Sequence, residues 1–447
     1  MNAQNRKTEL LGRAPVPRAL LAMGLPTMTG MMINALYNLA DAGFVSRLGT
    51  QAMGAISVTY PLGQVVVGLG LLFGSGAASC ISRLLGRGDR DAANRVANTA
   101  LFGSLIAGAA IIALTLLFLE PILRLLGATE GILPYAKRYA GIYVASSIFN
   151  VINVTMNSIA TSEGAAKTTM AALLTGALLN ILLDPVMIYG LNLGVSGAAI
   201  ATALSQAVSS GVYLRYMRSG SSAFRFHPRE CRFSKAILSG IFQIGVPTLI
   251  FQLLTGLSVT LTNLKAAPYG DSVIAGMGAV TRIVSLGTLM VFGFIKGFQP
   301  VAGYSYGAGN LSRLREAIRT AVIWTTLFCA LLGLALICFP APIMSLFAAG
   351  DAALIRVGQR ALQLNGLSVT LFGFYTVYSS LFLALGRAKA GLFLGVCRQG
   401  ICFLPAILLL PAAWGLNGIL CAQPAADLAA ALIAAVMAAR LRRSLFA

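Results

Sequence analysis

The sequence contains few acidic residues and almost no histidine. Among 447 residues there are thirteen Asp and Glu and one histidine, His227, against thirty-three Lys and Arg. Histidine is the side chain that titrates most readily near neutral pH. A histidine relay is therefore excluded, and proton chemistry would have to use carboxylates or tyrosines. The seven cysteines include no CxxC pair, so we interpret them as small core residues rather than metal ligands.

Charged residues are scarce and apolar residues dominate. Only 10% of the residues are charged and 57% are hydrophobic, a composition outside the range of soluble proteins. Stretches long enough to span a bilayer recur along the whole chain. Twelve membrane helices are predicted, at 17–42, 54–80, 97–121, 133–160, 168–190, 196–217, 237–264, 274–303, 316–340, 355–384, 390–411 and 416–439. We expect an all-α polytopic membrane protein without a cleavable signal peptide.

The formal net charge is +20, which by itself could indicate a nucleic-acid partner. Its distribution argues against that. If residue 1 is cytoplasmic, the basic residues concentrate in segments on that side, such as 83–95, 215–235 and 440–443. The outer loops keep few: Arg47, Arg124, Lys137, Arg138, Lys265, Arg356 and Arg360. This positive-inside pattern predicts an inner (cytoplasmic) membrane protein with both termini in the cytoplasm and no nucleic-acid partner.

The chain repeats itself. Residues 1–220 shifted by 221 positions meet matching Gly, Pro and Thr residues with hardly a gap. The pairs include Gly24/Gly245, Pro26/Pro247, Thr27/Thr248, Gly86/Gly307, Gly88/Gly309, Pro121/Pro342, Gly194/Gly415 and Gly197/Gly418. Because this register extends over the whole half, an internal duplication is predicted.

Six helices per half is an even number, so both halves begin on the same side of the membrane. The repeats are then parallel, a recurring plan of secondary transporters in which the binding region lies between the halves. We predict a first lobe at 1–217, a basic cytoplasmic linker at 218–235 and a second lobe at 236–447.

Three acidic residues fall well inside predicted membrane helices: Asp41, Asp184 and Asp427. A charged side chain at such depth costs about 2.5–3.5 kcal/mol on insertion scales, so a functional role is the first hypothesis. The alternative is a carboxylate that is only neutralised by a packed cation.

Amide side chains accompany two of these acids at helical spacing. The polar stripes are Asn34, Asn38 and Asp41; Asn150, Asn153 and Asn157; and Asn180 and Asp184. A single intramembrane amide usually joins helices. Three stripes within one six-helix half predict a polar cavity in the first lobe.

A cation site is predicted within that cavity. Asp41 and Asp184 lie at similar depths on helices 1 and 5, and Thr202 reaches that level from helix 6. Pro185 has no N–H, so the carbonyl of Ile181 loses its helical partner. With Asn180, these oxygens would suit a hard cation, so a Na⁺ site at Asp41, Asn180, Asp184 and Thr202 is one possibility. Alternatively, the neighbouring carboxyl groups hold a proton.

The second half lacks this set. At the offset of 221, Asp41 corresponds to Thr262, Asn180 to Ile401, Asp184 to Pro405 and Thr202 to Gln423. Ion coupling is therefore predicted in the first half alone. Asp427 and Arg398 have comparable depths, which favours a structural ion pair.

Five segments, in this order, resemble the MATE (multidrug and toxic compound extrusion) family, in its DinF/MepA-like branch. They are GLPTMTGMMINALYNLADAGFVSRLG at 24–49, SEGAAK at 162–167, NILLDPVMIYGLNLGVSGAAIATALSQ at 180–206, KGFQPVAGYSYGAGN at 296–310 and GLNGILCAQPAAD at 415–427. The resemblance covers nearly the whole chain.

The resemblance implies a V-shaped, cation-coupled exporter of two six-helix lobes. Its coupling positions match Asp41, Asn180, Asp184 and Thr202, with Tyr139 and Asn157 in the same network. We expect multidrug efflux of amphipathic or cationic small molecules in exchange for Na⁺ or H⁺, no other cofactor and a functional monomer. Further candidates for substrate contacts are Asn34, Tyr37 and Asn153.

Three other protein classes could share some of these features, and each has sequence requirements of its own. A major-facilitator transporter has six plus six helices, but RLLGRGDRDAANR after helix 2 lacks its G-x-x-x-D-R-x-G-R-R pattern. A lipid-linked oligosaccharide flippase of the same superfamily would need a basic cavity, whereas the predicted cavity is acidic. An intramembrane aspartyl protease would need YD and GxGD contexts, and these are absent. The chain is therefore not expected to be an enzyme.

Overall fold

The computed structural model describes residues 9–48, 50–269, 271–345 and 352–446, and within these ranges the chain is helical without strands. Twelve long helices have the length and apolar composition to cross a membrane, which confirms the predicted number. We label them in chain order. In the first half they are α1 (Val16–Ser46), α2 (Thr50–Gly86), α3 (Arg90–Leu117), α4 (Leu133–Ser162), α5 (Ala166–Pro185) and α6 (Val195–Arg218).

The second half repeats this series. Its helices are α7 (Lys235–Ala266), α8 (Asp271–Gly307), α9 (Leu311–Cys338), α10 (Ala352–Ala384), α11 (Ala388–Trp414) and α12 (Leu416–Phe446). Helix α5 continues through a π-helical turn at Val186–Gly190. Helix α11 is interrupted by another π turn, at Cys397–Cys402, between Ala388–Val396 and Phe403–Trp414.

Two predicted helix ends were too late. The predicted third and ninth helices ran to 121 and 340, but α3 ends at Leu117 and α9 at Cys338. Phe118 and Phe339 leave the helical conformation, with φ of -111° and -121°. Each is followed by a separate short helix, Leu119–Leu125 or Pro340–Ser345. In both halves the new short helix contains proline, Pro121 in the first half and Pro340 and Pro342 in the second.

The repeat is visible in backbone detail. The residue before α3, Asp89, has φ -83° and ψ 79°, and its counterpart before α9, Asn310, has φ -84° and ψ 79°. Both side chains accept a hydrogen bond from a backbone N–H in the first helical turn, as N-cap residues do. Gly194 and Gly415 also share a conformation, φ 54° and ψ -133° against φ 55° and ψ -131°, which only glycine adopts without strain.

The two halves meet in pairs of symmetric glycine contacts. A Cβ atom at Gly86 would lie 2.2 Å from the carbonyl oxygen of Tyr304, and one at Gly307 would lie 2.1 Å from that of Arg83. These two contacts exchange under the 221-residue offset. Helices α2 and α8 therefore touch backbone to backbone about a pseudo-two-fold axis, as expected for parallel repeats.

Further close contacts join the halves at the same end of the bundle. A Cβ atom at Gly245 would lie 1.9 Å from the carbonyl oxygen of Leu72, and one at Gly297 would lie 2.5 Å from the Gly24 nitrogen. The Thr27 hydroxyl donates to the carbonyl of Gly293 at 2.6 Å. All of these residues lie on the parts of α1, α2, α7 and α8 nearest the segment that joins the halves. We call that end of the bundle the linker face, and the two halves diverge from it as a V.

The segment between α6 and α7 is folded against the first half. Asn98 of α3 donates to the carbonyl of Arg225 at 2.9 Å and accepts from the His227 N–H at 2.9 Å. Thr99 exchanges two hydrogen bonds of 3.1 Å with the backbone of Arg232. The linker predicted at 218–235 thus runs between the end of α6 and the start of α7 as an ordered strap.

Glu163 anchors the start of this strap. It is buried, 3% exposed, between α4 and α5. Its carboxylate accepts hydrogen bonds from the Ser222 hydroxyl at 3.0 Å, from the Ala223 N–H at 2.6 Å and from the Tyr216 hydroxyl. Since charged acceptors make the stronger hydrogen bonds, Glu163 fixes the strap to the first half.

Candidate functional site

Four residues predicted to form the ion site lie together in the first half. The Asn180 amide nitrogen is 3.4 Å from Asp184 Oδ1 on the next turn of α5 and 3.4 Å from the Thr202 hydroxyl on α6. The Asp41 carboxyl group of α1 lies close to the Asp184 carboxyl group. Three helices thus bring two carboxyl groups, an amide and a hydroxyl to one place.

Several oxygens of this cluster have no partner. Asp41 Oδ1, Asn180 Oδ1 and Asp184 Oδ2 are buried without a hydrogen-bond partner in the described part of the chain. Asp184 is 0% exposed. A buried polar atom left without a partner costs about 1–3 kcal/mol. The cluster therefore has three acceptors that a cation or a proton would satisfy.

The donor set fits a small monovalent cation. Carboxylate, amide and hydroxyl oxygens are hard ligands, which alkali and alkaline-earth cations prefer. No group of three or more His, Cys, Asp or Glu side chains occurs within the described ranges, so we find no transition-metal site there. Asp41, Asn180, Asp184 and Thr202 are the residues that would hold Na⁺, and the two carboxyl groups are those that would hold a proton.

The chain beyond Asp184 connects α5 to α1. Pro185 has no N–H to donate, and the helix passes through it into the π turn Val186–Gly190. From that turn, the Tyr189 hydroxyl donates to the carbonyl of Phe44 at 2.6 Å. This hydrogen bond lies one turn along α1 from Asp41. Sequence reasoning missed both the π turn and Tyr189; the adjacent Asp184–Pro185 pair was the only signal of an irregular helix end.

Tyr139 lies beside the cluster. It is 5% exposed and packs with Val45 of α1 and Ile188 of the π turn. Its ring stacks on Tyr143, with 5.8 Å between centroids and an interplanar angle of 11°. The contacts with Val45 and Ile188 place Tyr139 next to the segments that carry Asp41 and Asp184.

Asn157 and Asn153 belong to a different level of the first half. The Asn157 amide donates to the Tyr213 hydroxyl at 3.3 Å. Asn153 donates to Gln206 Oε1 at 2.6 Å and accepts from Ser210 at 3.0 Å. At about 1.5 Å of rise per residue, Tyr213 lies about 16 Å along α6 from Thr202. Within the described residues no hydrogen bond connects Asn157 with Asp41 or Asp184.

The remaining substrate candidates lie on α1. Asn34 and Tyr37 are half-buried, one to two turns from Asp41 toward the linker face. The side chain of Asn38, in the same polar stripe, lies outside the described residues. On α4, Asn150 Oδ1 is buried and has no hydrogen-bond partner in the described ranges, so it is a further polar group of this half.

In the second half, the buried acid Asp427 is paired with a basic residue. Arg398 Nε is 2.7 Å from Asp427 Oδ1, and their side chains are 12% and 6% exposed. The Gln423 amide also donates to Asp427 Oδ1 at 2.7 Å, and the Ser368 hydroxyl donates to Oδ2 at 3.0 Å. Arg398 lies over the Phe372 ring at 4.8 Å. The structure brings Arg398 and Asp427 together as an ion pair in which both carboxylate oxygens accept hydrogen bonds.

Comparison with known proteins is consistent with this geometry. The MatE family profile matches residues 26–186 and 247–408, one match in each half. The chain belongs to the MATE family. The multidrug export protein MepA of Staphylococcus aureus (strain N315) is 29% identical over 434 residues, covering 96% of each chain. That of Staphylococcus saprophyticus is also 29% identical over 434 residues.

Solved structures agree in fold. An outward-facing multidrug resistance MATE transporter has 27% identity and a TM-score of 0.92, with 99% of both chains covered. A MOP superfamily transporter from Pyrococcus furiosus has 27% identity and a TM-score of 0.91, with 98% of both chains covered. These relatives are transporters, so the chain is a multi-pass membrane transporter and not an enzyme. The protease alternative is thereby excluded.

Proposed function

We propose that the protein is a secondary antiporter that exports amphipathic or cationic small molecules in exchange for Na⁺ or H⁺. One observation carries the proposal: three unpartnered oxygens of Asp41, Asn180 and Asp184 meet in the first half. An unpaired acidic group inside a membrane protein is a functional candidate by default. The relative named multidrug export protein MepA supports the substrate class.

The orientation follows from charge. The linker face carries Arg218, Arg225, Arg229 and Arg232 of the strap region, and basic segments remain in the cytoplasm. We therefore propose that the linker face and both termini are cytoplasmic. The V then opens outward, as in the relative described as outward-facing. Because one chain contains both halves, we propose a functional monomer.

Transport would couple the ion site to movement of the halves. In the outward-open arrangement, Asp41 and Asp184 would take up the external cation, and a cationic substrate in the polar cavity would be released by competition for the same negative charge. Rocking of the halves about the linker face would alternate access. The ion can drive this movement only through its different affinity for the two arrangements.

Efflux in proteoliposomes tests the proposal, with the Na⁺ gradient and the pH gradient imposed separately. We expect Asp41→Asn and Asp184→Asn to abolish efflux under whichever gradient drives the wild type, with folding retained. Thr262→Ala removes the hydroxyl at the position of the second half that corresponds to Asp41, and it should transport normally. Coupled efflux by Asp41→Asn at the wild-type rate would refute the site.

A lipid-linked oligosaccharide flippase is the second candidate, and the two are distinguishable. Such a substrate carries a diphosphate, which requires unneutralised basic groups. In the second half, Arg398 is already paired with Asp427. We therefore favour the exporter; flipping of a lipid diphosphate in the same liposomes, independent of either ion gradient, would favour the flippase.

A further inference from the structure

Two cysteines meet on the π turn of α11. The sulfur atoms of Cys397 and Cys402 are 3.5 Å apart. In an α-helix, residues five apart differ by about 140° around the axis, since each residue turns the chain by about 100°. The π turn at Cys397–Cys402 closes i to i+5 hydrogen bonds and so stacks these residues on one side. The turn itself therefore creates the thiol pair.

The surroundings of the pair are apolar and internal. Cys397 is 0% exposed and belongs to the largest hydrophobic cluster of the second half. Cys402 is half-buried and packs against that cluster and a neighbouring one. Both are free thiols. A neutral, lipid-soluble reagent is thus the kind of molecule that would reach them.

The same turn holds the polar centre of the second half. Arg398 lies between the two cysteines in sequence and pairs with Asp427 of α12. The carbonyl of Gln399, also in the turn, accepts a hydrogen bond of 3.4 Å from Ser258 of α7. A bridge between the two sulfurs would therefore fix a segment that joins α11 to both α7 and α12.

We propose that Cys397 and Cys402 form a dithiol binding site for trivalent arsenicals. Thiol sulfur is a soft ligand and prefers soft, thiophilic centres. An arsenoxide R–As=O would form two As–S bonds, and its oxygen would leave as water with the two thiol protons, so no oxidant or reductant is needed. The spacing of 3.5 Å exceeds the about 2.05 Å of a disulfide. A bridging atom therefore requires less movement of the turn than a direct S–S bond.

Intact-protein mass spectrometry with phenylarsine oxide tests the site. Native wild type at one equivalent should gain one phenylarsine group per chain with loss of one water. Excess dithiothreitol should remove the adduct, whereas excess 2-mercaptoethanol should not, because only a dithiol competes with a chelate. Cys397→Ser and Cys402→Ser should each reduce adduct formation at least tenfold.

The control is Cys329→Ser, which removes another buried thiol of the same half and should retain the adduct. Peptide mapping of the labelled wild type gives a second readout that does not depend on how the serine variants fold. The label must lie on the peptide that contains Cys397 and Cys402. An adduct that persists in both serine variants, or a native wild type that reacts only after unfolding, would overturn the proposal.

Discussion

The two halves share a backbone but differ in how they treat a buried acid. In the first half, Asp41 and Asp184 meet with unpartnered oxygens. In the second half, Asp427 accepts from Arg398, Gln423 and Ser368. The glycine contacts at the linker face are symmetric, whereas the acid clusters are not. This difference supports our proposal that the duplicated frame serves movement and that ion binding is confined to the first half.

At the positions that correspond to the candidate ion site, the second half has residues that do not form such a site. Thr262, in place of Asp41, donates to the carbonyl of Ser258 at 2.9 Å. Ile401 and Pro405 replace Asn180 and Asp184 and bring no side-chain oxygen. Gln423, in place of Thr202, donates to Asp427. Thr262 and Gln423, the two polar side chains at these positions, each donate a hydrogen bond within the second half.

The largest effect on ion-coupled efflux is expected when Asn180 of the first half is replaced by its counterpart in the second half, isoleucine. Asn180→Ile removes the amide that links Asp184 to Thr202 and one of the unpartnered oxygens. We expect at least a tenfold loss of ion-coupled efflux, equivalent to about 1.4 kcal/mol, measured in proteoliposomes. Ile401→Val at the corresponding position should leave efflux unchanged. Equal losses in both variants would mean that the halves are functionally alike.

Breaking the ion pair of the second half should affect stability rather than coupling. Asp427→Ala leaves Arg398 buried without its counterion, which costs about 3–5 kcal/mol. We expect a lower unfolding temperature in detergent, with the ion dependence of efflux per folded protein unchanged. The double variant Arg398→Leu with Asp427→Leu should recover much of the stability. An Asp427→Ala protein of normal stability that has lost ion coupling would show that the second half also binds the ion.

The symmetric glycine contacts can be tested from either side. Gly307→Val places side-chain atoms where the Arg83 carbonyl lies, and Gly86→Val does the same at Tyr304. Overpacking of this kind costs about 1–3 kcal/mol. Both variants should shift the protein toward an arrangement open at the linker face. The measurement is the rate at which a thiol reagent labels Tyr304→Cys, which should be faster with either valine than without it. Gly211→Ala, where a Cβ atom meets nothing within 4 Å, is the control, and opposite effects of the two valines would contradict the symmetry.

The acid that holds the strap has no counterpart in the second half. The turns at Gly164 and Gly386 correspond, so the residue equivalent to Glu163 is Leu385. Glu163→Gln keeps the shape of the side chain but replaces the charged carboxylate that accepts hydrogen bonds from Ser222 and Ala223. We expect faster trypsin cleavage at Arg225 and Arg229 and a loss of about 1–3 kcal/mol, as for a buried hydrogen-bonding group left without its partner. Glu230→Gln changes an exposed acid with one 3.3 Å contact to Asn94 and should behave as wild type. Unchanged cleavage in Glu163→Gln would show that the strap is held elsewhere.

The smallest effect concerns the short helix Leu119–Leu125. Lys137 and Arg124 hydrogen-bond the Glu120 carboxylate and lower its pKa. A carboxyl group with a depressed pKa stabilises the folded state above its unfolded pKa, and that contribution disappears as the pH falls through the folded value. We expect a slight extra loss of stability in mild acid, absent in Glu120→Gln. Ala341 is the counterpart in the second half, so Ala341→Ser should leave the acid dependence unchanged.

Much of the fold was predictable because its signals are local. Apolar runs predicted twelve helices, and Gly and Pro residues in register predicted the duplication. The helix ends near Phe118 and Phe339 were predicted too late because the predicted long helices ended at Pro121 and Pro340, whereas these prolines lie in the first turns of new short helices. The two π turns were missed for a different reason: an inserted residue in a helix alters hydrogen-bond partners without altering composition.

The sequence predicted the residues that form the candidate site, but it could not show which neighbouring polar residues lie outside it. Asp41, Asn180, Asp184 and Thr202 could be grouped by depth along their helices, and they do lie together. Asn157 could not be separated from them, because its position along α4 relative to α6 depends on how the two helices pack. Only the contact with Tyr213 places it at a different level.

The sequence alone determined that the chain is a duplicated twelve-helix membrane protein with two intramembrane acids in the first half and one in the second, because hydropathy, charge and repeated glycines are properties of the chain. The tertiary structure decided which acids lack partners. From the sequence, depth suggested Arg398 as a partner of Asp427, while a packed cation beside Asp184 stayed an open alternative. Helix packing brings Arg398 to Asp427. At Asp184 it brings the Asp41 carboxyl group, while Asn180 of the same helix joins Asp184 to the Thr202 hydroxyl.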